Sequence, residues 1–154
     1  MATERTLVII KPDGVQRHLI GRIISRFEEK GLKLAAAKFV KISPELAAKH
    51  YEVHKGKPFY DSLVGYICSE PVLVMVWQGQ RVIPIVRTML GATFGYEAQS
   101  GTIRGDFSCS RGYNLVHGSD SPQSAEFEIN LYFKPEEIVD YSFTDEKWLC
   151  GQND

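Results

Sequence analysis

Cysteine is scarce in this chain. The three present, Cys68, Cys109 and Cys150, lie too far apart for a CxxC pair or a zinc-ligand spacing. That argues against a disulfide framework or a structural metal and for reduced thiols in the cytosol. Long hydrophobic runs are missing too. The first apolar stretch, Leu7 to Ile10, is far too short to cross a bilayer, and Met1-Ala2-Thr3-Glu4-Arg5 has no apolar signal core. There is no excess of charge of either sign: the formal net charge is -1. Nothing in that balance calls for nucleic acid or an anionic membrane. A soluble, cytoplasmic protein is expected, unless a precursor segment has already been removed. Generic signatures are also absent. Without GxxxxGK(S/T) or GxGxxG there is neither a P-loop nor a Rossmann turn. Without a GxSxG elbow, the neighbours Ser119, His117 and Asp120 make a poor hydrolase triad.

What is present suits one domain: 154 residues, 44% hydrophobic and 24% charged, with no repeat or linker. Arg5 to Lys11 is a β-branched run that reads as a buried strand, with Pro12-Asp13-Gly14 as a tight turn after it. Ile20, Ile23, Ile24 and Phe27 follow helical spacing up to Gly31, and Leu34 to Ile42 alternates as a second strand. Ser43-Pro44 opens a helix running to about His54, and Phe59 to Ile67 is predicted as another. Pro71 to Trp77 is the most apolar strand and should be central. Val82, Ile85, Val86, Met89 and Leu90 form a further helical stripe that leaves Arg87 off the core side. Gly91 to Tyr113 then loses all pattern, with five glycines in 23 residues; such a stretch in a compact domain is more often functional than idle. A short strand at His117 and a helix from Ser121 to about Phe133 complete the order, before a tail carrying Trp148. Two βαβ units with an inserted helical hairpin predict an α+β ferredoxin-like sandwich, a four-stranded antiparallel sheet with helices on its faces. A doubly wound parallel sheet is the alternative.

The chemistry concentrates around Asn114 to Pro122. His117 ends the short run Leu115-Val116, Gly118 follows, and Ser121-Pro122 reads as a helix N-cap and first turn. The histidine therefore sits at a strand-to-helix corner, as a nucleophile or a ligand. On the next helix Ala125, Glu128, Ile129, Tyr132 and Phe133 share the core-facing stripe, with Glu128 its lone carboxylate. A buried carboxylate needs a partner. An imidazole on the adjacent strand would be fixed in one tautomer by it, leaving the other nitrogen free to attack. His18, His50 and His54 have no comparable setting. Lys11, Arg87, Arg104 and Arg111 lie at element ends and in the irregular stretch, a set of cations suited to phosphate oxygens.

Asn114 to Ser121 (NLVHGSDS) resembles the active-site signature of nucleoside diphosphate kinases. So do Glu4-Arg5-Thr6 through Lys11-Pro12-Asp13-Gly14-Val15-Gln16-Arg17, and Gly101-Thr102-Ile103-Arg104-Gly105-Asp106-Phe107. Arg26-Phe27-Glu28, His50-Tyr51, Lys57-Pro58-Phe59, Val74-Met75-Val76-Trp77 and Ser124-Ala125-Glu126 fall in the family's order, so the resemblance covers nearly the whole chain. It implies γ-phosphoryl transfer from a nucleoside triphosphate to a nucleoside diphosphate, by a ping-pong route through a phosphohistidine. His117 matches the phosphorylated histidine, Glu128 the acid that orients it, and Ser119 a hydroxyl beside it. Lys11, Tyr51, Arg87, Thr93, Arg104 and Asn114 match positions that hold phosphates or ribose, and Phe59 the aromatic that stacks on the base. Mg²⁺ is expected to enter with the nucleotide, without an all-protein site. Gly118 is expected to leave room for the transferred group. A homo-oligomer is implied, with a hexamer favoured over a tetramer by the longer tail. Regulatory nucleotide binding and nucleic-acid binding are the competing readings. The chain departs from the family where Phe94-Gly95 replace Asn-Pro, where Ser100 replaces a second proline, and at Ser110-Arg111-Gly112-Tyr113. Arg111 falls where a small apolar residue commonly closes the base site, and is expected to stack on the base as a planar cation.

Overall fold

Apolar alternation is what sorts this chain into layers. In the computed structural model, which describes residues 2–154, the strands are β1 (Thr3–Ile10), β2 (Lys33–Val40), β3 (Val72–Gln80) and β4 (Val116–Gly118). They form one sheet in the order β2-β3-β1-β4, and every neighbouring pair is antiparallel. That order is the ferredoxin-like one and excludes the parallel alternative. β1 and β3 are interior, as the run at Val74–Trp77 requires. Side chains on a strand alternate faces. Val8 and Ile10 accordingly join Met75 and Trp77 against α2 (Ile20–Glu29) and α5 (Val82–Leu90). Leu7 and Ile9 join Val74 and Val76 on the opposite face, against α3 (Pro44–His50), α4 (Tyr60–Cys68) and α7 (Pro122–Tyr132). No helix among the described residues is long and apolar enough to cross a membrane.

Three local readings need correction. Pro12-Asp13-Gly14 is not a tight turn but opens α1 (Pro12–Gln16), with extended Lys11 as N-cap and proline in the first turn. Proline's fixed φ and missing N–H suit that position. The helix begun at Ser43-Pro44 stops at His50, and a 3-10 turn takes over at Glu52–His54. The stretch after Gly91 is not structureless: it holds a 3-10 turn at Gly95–Glu97 and α6 (Ile103–Phe107). One five-residue helix is too short to show helical periodicity in sequence. Its start is nevertheless a proper cap, because the Thr102 hydroxyl accepts from the Gly105 N–H at 3.0 Å. Gly105 is required there: a Cβ would lie 1.8 Å from the Gln99 carbonyl oxygen.

β1 and β4 together place the site. Ile9 pairs with His117, so the three-residue β4 is held against the centre of the sheet. The turn that enters β4 is unusual. Leu115, fully buried, has φ +72, and the Val116 N–H donates to the Asn114 carbonyl at 2.8 Å. This is a γ-turn of the strained, positive-φ kind. Asp13 holds it: one carboxylate oxygen accepts from the Leu115 N–H at 3.1 Å, and the other accepts from the Tyr66 hydroxyl. The Leu115 carbonyl in turn accepts from the Lys11 N–H at 2.8 Å.

Candidate active site

The centre of the site is a carboxylate with three neighbours. Helix α7 starts where expected, with the Ser121 hydroxyl accepting from the Ser124 N–H at 3.1 Å. Two turns later its buried stripe presents Glu128 to β4. His117 Nε2 lies 3.0 Å and 3.1 Å from the two carboxylate oxygens. The Ser119 hydroxyl donates to Oε1 at 2.6 Å and accepts from the Leu7 N–H at 3.2 Å. His50 Nε2 lies 3.4 Å from Oε2 but is not aligned as a hydrogen bond, and Nε2 has no other partner. Burial would push the Glu128 carboxyl upward. Contacts with His117, His50 and Ser119 outweigh it and hold Glu128 well below the usual carboxylate range. It is therefore ionised, and a neutral His117 must carry its proton on Nε2 to donate. Nδ1 then keeps a free lone pair. Burial lowers the His117 pKa, and this outweighs the opposing pull of Glu128, so the ring stays neutral to lower pH than an ordinary histidine.

His50 was passed over in the sequence reading, and the structure corrects this. Its ring is buried, stacked on Tyr51 at 4.6 Å between centroids and edge-on to His117 at 4.8 Å. Its Nδ1 lies 2.6 Å from the Tyr132 hydroxyl. The signal was available: Ala47, His50 and Tyr51 lie on one stripe at helical spacing, and all three are buried. Tyr51 also has a buried hydroxyl without a partner, kept protonated by burial and by the charge of Glu128. The rings continue outward through His54, 6.3 Å from Tyr51, to Phe59, 5.3 Å from His54 and exposed.

The cations gather around β4 and the turn that enters it. Lys11 is buried and its ammonium donates to Asn114 Oδ1 at 2.8 Å, while Asn114 Nδ2 donates to the Thr93 carbonyl at 2.9 Å. Burial and the neighbouring charge of Arg104 bring the Lys11 pKa down to about 8, against a smaller raising effect of Asp13. Arg104 is buried and mostly committed: it donates to the carbonyls of Asn114, Gly91 and Val116 at 3.2, 3.0 and 2.8 Å. Its five N–H groups leave two for a ligand. It is a staple of the loop first and a free cation second. Arg87 is exposed and makes one long contact, 3.3 Å, to the Gly118 carbonyl. Arg111 is also exposed, with its guanidinium 4.9 Å above the Phe94 ring, which stacks on Tyr96 at 5.9 Å. So two departures from the family pattern touch each other. Gly118 needs a different account from room for a transferred group. A Cβ there would lie 2.8 Å from Leu90 Cδ1, so the missing side chain lets α5 pack onto β4. A cavity of about 720 Å³ lies elsewhere, lined by Thr3, Arg5, Gln78, Ile129 and Ile138, and holds none of these residues.

The fold is a ferredoxin-like sandwich that fixes one imidazole by a buried carboxylate, with buried and exposed cations nearby. A family model for nucleoside diphosphate kinase matches residues 4–138. The nucleoside diphosphate kinase of Natronomonas pharaonis is 56% identical over 148 residues, 96% of this chain and 97% of that one. That of Pyrococcus furiosus is 59% identical over 141 residues, 90% of this chain and 88% of that one. Among solved structures, the Halobacterium salinarum enzyme in complex with CDP superposes with TM-score 0.95 at 47% identity, over 97% of this chain and 100% of that one. The Borrelia burgdorferi enzyme, a transition state mimic with bound vanadate and ADP, gives 0.90 at 39%, over 96% and 98%. The chain belongs to the nucleoside diphosphate kinase family.

Proposed function

We propose that this chain moves the γ-phosphoryl group of a nucleoside triphosphate to a nucleoside diphosphate, with His117 Nδ1 as the intermediate carrier. One observation carries the reading: Glu128 accepts from Nε2, so the lone pair of Nδ1 is the one left to attack. In the first half-reaction a bond forms from Nδ1 to the γ-phosphorus and the bond to the β,γ-bridging oxygen breaks. The diphosphate leaves. In the second half-reaction a terminal oxygen of another diphosphate attacks the phosphorus, and Nδ1 takes back its electron pair. Glu128 stays ionised throughout and offsets the positive charge that develops on the ring. Such transfer is largely positioning and neutralisation.

Lys11, Arg87 and the two uncommitted N–H groups of Arg104 serve the phosphates, with Tyr51, Thr93 and Asn114 as phosphate or ribose contacts. The orphaned Tyr51 hydroxyl supports this, since a buried donor without a partner calls for one. Phe59 takes one face of the base and Arg111 the other, presented on the Phe94 ring. Two relatives solved with CDP or ADP support nucleotide substrates. Mg²⁺ arrives on the nucleotide. The clustered donors His50, His117 and Glu128 are rich in nitrogen and do not suit this oxygen-seeking ion. The protein acts in the cytoplasm as one domain spanning 1–154, and as a homo-oligomer, a hexamer rather than a tetramer. Exposed Phe39 on edge strand β2 supports association. Nucleic acid is no main partner at a net charge of -1.

The test is to mix the protein with radiolabelled ATP and Mg²⁺. An acid-labile, base-stable adduct that His117→Ala lacks is expected. Its survival in that variant would remove His117 from the mechanism.

A further inference from the structure

His50, His117 and Glu128 form a cluster that phosphoryl transfer does not fully use. Phosphoryl transfer needs Glu128 to hold His117. It gives no task to His50 Nε2, which is buried and without a hydrogen-bond partner. One ligand atom from each residue can be chosen so that all three lie within 4.8 Å of one another. With Glu128 Oε2 as its ligand atom, two of the separations are 3.1 Å, to His117 Nε2, and 3.4 Å, to His50 Nε2. A tetrahedral ion with bonds of about 2.0–2.1 Å sets its ligand atoms roughly 3.4 Å apart. Two imidazoles and a carboxylate, with a fourth position left open, are a known ligand set for zinc.

We propose that His50, His117 and Glu128 form an inhibitory site for a borderline-soft divalent transition cation, of which zinc(II) is the probe. The surrounding contacts suit this. Imidazole ligands usually carry their second nitrogen on a fixed partner that sets the tautomer. For His50 that partner is the Tyr132 hydroxyl, 2.6 Å from Nδ1, and the ring is further clamped by stacking on Tyr51. Binding at Nε2 fixes His50 as the Nδ1–H tautomer, which donates a hydrogen bond to the Tyr132 oxygen. In His117 binding has a chemical consequence. The cation takes the Nε2 lone pair, the proton moves to Nδ1, and the nitrogen that would attack phosphorus becomes an N–H donor. No proton is lost and no bond is redox-altered. Zinc and the phosphoryl group therefore compete for one imidazole through opposite nitrogens. Mg²⁺ does not compete, because it prefers oxygen and gives up water reluctantly.

This inference rests on the histidine-carrier reading for its inhibitory effect but not for the binding itself, and the experiment separates the two. Zinc(II) alone is titrated calorimetrically into nucleotide-free protein carrying Cys109→Ser and Cys150→Ser, which removes the exposed thiols. One ion per chain is expected, with affinity falling at least tenfold in both His50→Gln and His117→Gln. Long-range ¹H–¹⁵N spectra of the imidazoles should show His117 moving from Nε2–H to Nδ1–H on loading. In parallel, zinc should slow phosphoenzyme formation at fixed Mg²⁺. Absence of binding, equal affinity in His117→Gln, or an unchanged His117 tautomer would overturn the site. Should His50→Gln not fold, His117→Gln and the spectra still decide. If no phosphoenzyme forms under any condition while calorimetry and spectra behave as stated, the carrier reading fails and the zinc site stands.

Discussion

Replacing Glu128 by Gln separates the charge of this group from its shape. The carboxylate accepts from His117 and Ser119 and sits beside His50. A glutamine can still offer one carbonyl oxygen to His117 Nε2–H, but its NH₂ then faces the Ser119 hydroxyl or His50. Hydrogen bonds to a charged group contribute about 1.5–3 kcal/mol against about 0.5–1.5 for neutral ones. The substitution should therefore remove about 1–2 kcal/mol of stabilisation from the imidazolium-like carrier, a fall of roughly 5- to 30-fold in phosphorylation rate. The pH dependence supplies a second readout. In the parent protein burial lowers the His117 pKa while Glu128 raises it. Removing the charge leaves burial unopposed, so the acid limb of the rate must move to lower pH still. Stopped-flow measurement of single-turnover phosphoenzyme formation between about pH 4.5 and 8, a range bracketing the ordinary histidine value, checks both effects. An unchanged rate, or a limb displaced to higher pH, would refute the assignment of Glu128 as an ionised partner of Nε2.

The two arginines on the phosphate side should part company. Arg87→Ala should cut turnover by roughly ten- to a hundredfold, with little change in melting temperature, since it makes a single long contact. Arg104→Ala should lose turnover and also melt several degrees earlier, because three carbonyls lose a donor at about 1–3 kcal/mol for each left buried. Equal melting temperatures in calorimetry would contradict the staple role. Lys11, with a pKa of about 8, is charged below that pH and neutral above it. KM for the triphosphate should rise as pH passes upward through this region, and Lys11→Met should raise KM and flatten the profile; a limb surviving in that variant belongs to another group.

How much of this was legible in sequence depends on the range of each interaction. The sheet and the helix carrying Glu128 were, because burial imposes a period of two on strands and 3.6 on helices. The His117–Glu128 pair followed from adjacency of one strand and one helix stripe. Arg104 was read only as a cation, since its three carbonyl partners lie on two other segments, at Gly91 and at Asn114–Val116, that no local pattern links to it. His50 was missed because its partners, Glu128, His117 and Tyr132, lie on elements far along the chain that its own helix pattern does not link to it. The turn at Leu115 gave no signal at all: a leucine at positive φ runs against local preference, and the partners that hold it, among them Asp13 about a hundred residues earlier, are distant in sequence.

That γ-turn bears on how the site moves. Functional segments are commonly drawn from the least stable parts of a fold, and a three-residue strand would be an obvious candidate for opening. Here its entering end is fastened. Lys11 grips Leu115 through its main chain and Asn114 through its ammonium, Asp13 grips the amide between them, and Arg104 grips the carbonyls on either side of Leu115. The segment cannot fray without releasing the neighbouring cations as well. His117 is thus mounted on a segment tied down by several partners, and on the proposed reading the adjustments that admit and release a nucleotide fall to the exposed rim at Phe59 and Arg111.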